Sequence, residues 1–541
     1  MKIRGNIIDL YNRNIFFGEI KVTKGIIEEI KPVNGKSKKY ILPGFVDAHV
    51  HIESSMLVPT EFARLSVVHG TVATVSDPHE IANVLGIKGV DFMLRNAAKS
   101  PFKFFFGAPS CVPATSFETA GAELDSKDVE KLLERPDIWY LSEMMNYPGV
   151  LFDDKEVMLK LAAARKSNKP VDGHAPGLRG AEAKKYFSTG ISTDHECFTY
   201  EEGLEKAIMG VKILIREGSA AKNFEALIPL ILRFPDQVMF CSDDKHPDDL
   251  ILGHINQLVA RALHKGYDLM EVLRAACINP VQHYQLPVGT LREGDAADFI
   301  ITDDITQFQI RETWIKGKKV ARNGKSLLKS IRTKPVNHFK CRIKKPADFR
   351  IKPKGTHINV IKALDGQIVT DSFQAKALTD RNNVVSNMPS DILKFTVVNR
   401  YRQAAPAIGF IHHFGLRHGA IASSVGHDSH NILAVGTDDE LLCEAVNLII
   451  QNKGGIAALD KDGHKMCMPL PVGGIMTNAD GYNVAKQYAE IDHFVKNNLK
   501  STLTAPFMTL SFMALLVIPE LKLSDKGLFD GRKFEFRDIF V

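Results

Sequence analysis

The chain is poor in the features that would give it an easy classification. Its 541 residues hold seven cysteines, an odd number, with no C-x-x-C pair anywhere. That excludes a thiolate zinc finger and a disulfide framework, and fits a reducing compartment. No P-C-x-x-C follows the chance H-x-E of His51-Ile52-Glu53, which excludes the nucleobase deaminases that hold zinc with thiolates. The N-terminal stretch MKIRGNIIDLYNRN lacks an apolar signal core. The longest late apolar run, residues 507–518, falls short of the ~20 residues that span a bilayer. Formal net charge is only +6, and no basic stripe is interleaved with aromatics, so nucleic acid is not an expected partner. The Lys/Arg-rich stretch 316–354 reads as a solvated connector. These absences lead to the expectation of a cytoplasmic protein, with no membrane and no nucleic acid among its partners.

What is present is an ordered series of strand-like runs. Between residues 43 and 285, eight β-rich segments (45–51, 71–77, 102–108, 138–143, 170–174, 191–195, 211–216 and 238–243) alternate with helix-like stretches such as 61–69, 155–166 and 224–232. This alternation predicts an α/β fold, a (β/α)8 TIM barrel. An open doubly wound sheet would want a Gly-rich phosphate turn after the first strand, and none is there. The flanks, 1–42 and 286–345, are short strands and turns that read as two halves of one small composite β domain. The segment 346–541 has its own apolar runs and is long enough for an additional C-terminal α+β domain.

In barrels of this kind the chemistry gathers at the C-terminal strand ends. Strand one ends in His49-x-His51, a spacing that puts both imidazoles on one face. Strand four ends in Glu143, strand five in His174, strand six in His195 and strand eight in Asp243. Any single buried histidine is usually a satisfied core residue. Nitrogen and carboxylate donors at five strand ends instead suit a dinuclear centre, with imidazoles serving Zn, Fe or Mn and carboxylates favouring the harder ions. His79-Glu80 has the start of a zincin motif, but position 83 is Asn83, so H-E-x-x-H is absent.

These residues carry a resemblance. PGFVDAHVH and VGTLREGDAADFII resemble the amidohydrolase superfamily. SDPHEIANVLG, SEMMNYPGV, DGHAPGL, TDHE, CSDDKHPDDL and IASSVGHDSHNILAVGTDD are similar to motifs of its bacterial and archaeal adenine deaminases. The resemblance covers nearly the whole chain. It implies hydrolysis of adenine to hypoxanthine and ammonia, with a purine and water as reactants. It assigns His49, His51, Glu143, His174, His195 and Asp243 to two divalent metal ions, Mn(II) or Fe(II), with Zn(II) as the alternative, and makes Asp243 the proton shuttle as well. Glu143 stands where many superfamily members carry a modified lysine.

Ring-nitrogen protonation requires a further acid, for which His79, Glu80 and Glu53 are the candidates. Arg216, ending strand seven, is either a substrate contact or a rim salt bridge. Glu53 and Asp244 are also candidate substrate contacts, although Asp244, following Asp243 on a continuing strand, would face the opposite side. His427 and His430 of GHDSHN are candidate substrate contacts or turn residues. A homo-oligomer, a dimer, is the expected assembly. The competing functions are another cyclic amidine or amide hydrolase of the superfamily, and a scaffold that lost its chemistry.

Overall fold

The computed structural model describes residues 1–541. Strands β1 (Lys2–Asp9), β2 (Asn14–Thr23), β3 (Ile26–Pro32) and β4 (Tyr40–Pro43) open the chain. Next come the eight parallel strands: β5 (Phe45–Val50), β6 (Thr71–Ser76), β7 (Lys103–Ala108), β8 (Ile138–Met144), β9 (Val171–Gly173), β10 (Thr193–Asp194), β11 (Lys212–Arg216) and β12 (Val238–Cys241). Then β13 (Phe299–Thr302), β14 (Ile310–Ile315), β15 (Lys318–Arg322) and β16 (Lys325–Ser326) return to the first group. They join it in one sheet of order β16-β15-β14-β13-β4-β1-β2-β3, so the two flanks do form a single β unit.

The parallel strands pair β5 to β9 and β10 to β12, and two bridges close the ring: Val171 with Ile191, and Val50 with Asp243. The result is the expected barrel. Strands β5, β6 and β12 are buried at every residue, as a parallel sheet covered on both faces requires. The sixth strand is shorter than its sequence run, because backbone pairing holds only at Thr193 and Asp194. Helix starts follow local chemistry. The Asp154 carboxylate accepts from Val157 N ahead of the helix Lys155–Lys166, and Thr199 accepts from Glu202 N ahead of Tyr200–Ile208. The run 224–232 begins as the helix Phe224–Leu227 and tightens to a 3-10 turn at Ile228–Leu232, where Pro229 lacks the N–H an α-helix needs.

The C-terminal region carries a second eight-stranded sheet, backed on one face by the helix Asp439–Asn452. Its other face shares one continuous apolar core with the helices around the barrel. A short ladder ties it to the loop after the H-x-H, with Val58 N donating to Thr477 O at 3.2 Å and Thr477 N to Met56 O at 2.8 Å. This docking places C-terminal residues over the mouth of the barrel. No helix is long and apolar enough to cross a membrane.

Candidate active site

The first and last barrel strands are stitched beneath the H-x-H pair. Asp47 Oδ1 accepts from Ser242 N at 3.0 Å, and Asp47 Oδ2 accepts from Ser242 Oγ at 2.5 Å and faces His254 Nε2 at 2.8 Å. Asp243 N donates to His49 O at 2.9 Å, and His51 N donates to Asp243 O at 3.4 Å. The chain turns at Asp243 with φ of 52°, a left-handed backbone that aspartate tolerates better than most residues. On the other side, Tyr186 Oη donates to Met144 O at 2.7 Å while accepting from His174 N at 3.0 Å, which ties the end of β8 to the end of β9. Gly173 lets β9 and β10 approach, since a Cβ there would lie 2.3 Å from Thr193 O.

All six predicted donors converge. His49 Nε2 lies 3.1 Å from His51 Nε2, and the His49 ring stacks on His195 at 4.2 Å. Glu143 spans the cluster. Its Oε1 is 3.3 Å from His51 Nε2, while Oε2 is 2.7 Å from His174 Nδ1 and 3.1 Å from His195 Nε2. Asp243 Oδ1 sits 3.3 Å from His51 Nε2 and 3.7 Å from His49 Nε2. Among the groups of donors close enough to share a cation are His49–His195–Asp243, Glu143–His174–His195 and His51–Asp77–His79–Glu143, every member buried.

The electrostatics call for positive charge at the centre. Burial alone would neutralise Glu143, but His174 and His195 outweigh it and hold the carboxyl well below its usual range. Burial likewise opposes the ionisation of Asp243, and Arg216 overcomes it. His195 and His51 are raised despite burial, by Glu143 and by Asp243 with Glu143 respectively. His49 goes the other way, pushed down by burial and by its neighbours His195 and His51. His174 Nε2, His195 Nδ1 and His49 Nδ1 are buried without a partner. These are the ring nitrogens opposite the ones that meet in the cluster, and the nitrogen and carboxylate set that does meet there fits divalent cations.

Arg216 is a buried ion-pair residue. Its Nη2 donates to Glu196 Oε2 at 2.8 Å, its Nη1 to Glu196 Oε1 and, at 2.7 Å, to Asp243 Oδ2. The ion pair is present, and Arg216 also lines the cavity. Glu196, not singled out in the sequence, is held at about 2 against burial by this guanidinium. Its position directly after His195 in TDHE was the available signal.

A second cluster faces the first across a cavity lined by both regions of the chain, including His79, Glu80, Asp244, His427 and Asp428. Glu80 Oε1 contacts His427 Nδ1, and Oε2 contacts His430 Nε2. His430 Nδ1 accepts from Gly426 N at 3.2 Å, so its proton belongs on Nε2, directed at Glu80. Burial keeps His430 below its usual value even against Glu80, whereas Glu80 and Asp244 outweigh burial and raise His427 to about 9. Glu80 itself is held well below the carboxylate range, His427 and His430 outweighing burial. His79 is raised against burial by Asp77 and Glu80, and lies 3.1 Å from Asp77 Oδ2.

Three expectations need correction. His430 and Glu53 do not line the cavity. His430 stands behind Glu80. Glu53 Oε1 turns to accept from Ile81 N at 3.3 Å, and burial pushes its carboxyl up to about 7. Asp244 does not face away, because β12 ends at Cys241 and the turn at Asp243 swings its neighbour into the cavity. There Asp244 accepts from Ser54 Oγ at 2.5 Å and lies 3.8 Å from His427 Nε2.

Sequence comparison agrees with this architecture. Residues 40–320 match the family described as "Amidohydrolase family", and residues 367–535 match the "Adenine deaminase C-terminal domain". The chain is 56% identical over 538 residues to a protein of Sulfurovum sp. (strain NBC37-1) named adenine deaminase, covering 99% of each chain. Proteins of the same name from Salinibacter ruber and Methanosarcina mazei are 52% and 51% identical, each across 100% of this chain and 99% of theirs.

Proposed function

Since the chain belongs to the adenine deaminases of the amidohydrolase family, we propose that it hydrolyses adenine at C6, giving hypoxanthine and ammonia. The observation that carries this reading is the extent of the likeness. It spans the whole chain, including the C-terminal region that closes the cavity, and not the barrel alone.

His49, His51, Glu143, His174, His195 and Asp243 would hold two divalent cations, Mn(II) or Fe(II), with Zn(II) as the alternative. Such cations supply Lewis acidity, which lowers the pKa of a water molecule towards ~7. Glu143 reaches both halves of the donor set with its two oxygens, as a shared ligand must. Asp243 keeps Oδ2 on Arg216 and leaves Oδ1 beside His51. That oxygen takes a proton from the attacking water and returns it to the departing nitrogen, which leaves as ammonia.

The ring nitrogen needs its own proton while aromaticity is lost, and the second proton of the water, released as the C6 carbonyl forms, goes back to the group that supplied it. The Glu80–His427 pair is the reservoir we favour, since His427 carries a proton at neutral pH and Glu80 stays ionised beside it. His79 flanks the pair at 3.5 Å from Glu80 Oε1. Glu53 is set aside because it faces Ile81 rather than the cavity. Asp244, fixed by Ser54, is placed to read an edge of the base. Apolar contact comes from Met145, Ile368, Phe512 and Leu515. The test is ammonia release from a panel of purines and pyrimidines with metal-loaded protein. Adenine should lead; preference for another cyclic amidine or amide would move the assignment within the family, and inactivity on all with metal bound would favour a non-catalytic scaffold.

A further inference from the structure

We propose that Lys522 is the positioning residue for the apolar wall of the purine cavity, holding Ile368 and Phe512 in place through their carbonyl groups. The proposal rests on the reading of the cavity as a purine site. Lys522 lies on the strand Leu521–Ser524 and is fully buried. Its Nζ donates to Ile368 O at 2.8 Å and to Phe512 O at 3.1 Å. No carboxylate is among its partners, and burial alone pushes its pKa down to about 7. An uncompensated buried ammonium is costly, so an ordinary core position would be filled by an apolar residue.

The two carbonyls come from separate segments. Ile368 precedes the strand Thr370–Lys376, and Phe512 ends the helix Pro506–Phe512. The Phe512 carbonyl is one of the acceptors that a helix C-terminus leaves unsatisfied, where a lysine is favoured by charge as well as by hydrogen bonding. Both side chains line the cavity opposite the barrel donors. The Phe512 ring also lies nearly parallel to the His427 imidazole, at 5.0 Å between centroids and 20° between planes. One ammonium thereby sets the spacing of two apolar walls and, through Phe512, the plane of the imidazole that pairs with Glu80. In the cavity read as a purine site, an apolar face with a few fixed polar groups gives orientation as well as affinity.

The experiment compares wild type, Lys522→Met and Phe512→Leu at equal metal content. It reads steady-state ammonia release from adenine and, separately, equilibrium binding of hypoxanthine by calorimetry. Stacking contacts of a base on an aromatic ring are worth enough that ~10-fold weaker binding is expected for both variants. KM for adenine and Kd for hypoxanthine should rise together, with kcat changing less. A folded Lys522→Met protein with wild-type KM and hypoxanthine affinity overturns the proposal. Should Lys522→Met fail to fold, Lys522→Gln, whose shorter side chain cannot reach both carbonyls, should still raise both constants though by less, and unchanged constants overturn the proposal. If wild type releases no ammonia from adenine, the functional reading fails, while loss of hypoxanthine binding in the variants still decides the role of Lys522.

Discussion

Replacing Asp243 by asparagine separates proton transfer from metal retention, and the geometry dictates how. In the wild type, Oδ2 accepts from Arg216 Nη1 at 2.7 Å, while Oδ1 faces His51 Nε2 at 3.3 Å and His49 Nε2 at 3.7 Å. An asparagine can keep only one of these arrangements. With its oxygen on Arg216, its NH2 points at the donor cluster and repels a cation there. With its oxygen towards the cluster, its NH2 points at a guanidinium that can only donate. In neither pose can the group accept and return a proton at neutral pH. Loss of a positioned acid/base costs ~10²–10⁴ in rate, or roughly 3–5 kcal/mol of barrier. The fold should survive, because Arg216 keeps both Glu196 oxygens as partners. The assay is kcat for ammonia release from adenine at metal content matched to wild type, with Asp244→Asn alongside. Asp244 accepts from Ser54 and lies 3.8 Å from His427 Nε2; it is also close to His51 and Asp243 but lies outside the six assigned donors, so Asp244→Asn should raise KM and retain most of kcat. An Asp243→Asn enzyme within ~10-fold of wild type at matched metal would remove Asp243 from the proton-transfer step.

Purified protein should carry close to two equivalents of divalent metal by elemental analysis, and a ceiling of one with all six donors intact would refute the dinuclear reading. Glu143→Gln should lose metal in dialysis far faster than wild type while keeping its circular dichroism spectrum, because the variant removes the anion whose two oxygens reach His51 on one side and His174 with His195 on the other. His430→Leu should shift the acid limb of the kcat/KM profile to higher pH, since Glu80 loses a donor that keeps it ionised, and His430→Asn should restore part of the shift; identical profiles for all three proteins would contradict this role. Burial, with His254 adding to it, lowers His69 to about 4 in the folded protein, against an ordinary 6.5, so the folded state binds fewer protons. Its stabilisation is complete above pH 6.5 and is lost as pH falls through about 4, a span worth ~3 kcal/mol. His69→Gln should therefore flatten the loss of thermal stability between those pH values, as read by melting curves.

The part of the site that the sequence makes legible is the part built from strand ends. A donor at the end of a parallel strand is aimed at the mouth of the barrel by the fold itself, so His49, His51, Glu143, His174 and His195 could be placed without knowing any side-chain contact. The period-two rule that put them there fails at Asp244 for a local reason. The strand stops at Cys241, and the left-handed turn at Asp243 cancels the alternation. Arg216 illustrates a second limit. Its type and position are compatible with either a ligand or an ion pair, and the ion pair becomes visible only when Glu196 approaches from the neighbouring strand end. The third limit is distance along the chain. His427 and Phe512 reach the cavity, with Lys522 behind Phe512, because a separate sheet docks on the barrel helices through shared apolar surface, and no spacing in the sequence encodes which loop then faces which strand end. The GHDSHN motif is visible as a polar island between apolar runs, yet its division of labour is not. His427 enters the cavity with a raised pKa and His430 stays neutral behind Glu80, a difference set by Gly426 N on one ring nitrogen and by which carboxylates surround each imidazole. Two histidines three residues apart thus acquire opposite protonation states from contacts made with a glutamate some 350 residues earlier in the chain. The barrel contributes donors and the docked domain sets the charge of the groups that face them, which is why the catalytic reading depends on the whole chain rather than on the barrel motifs alone.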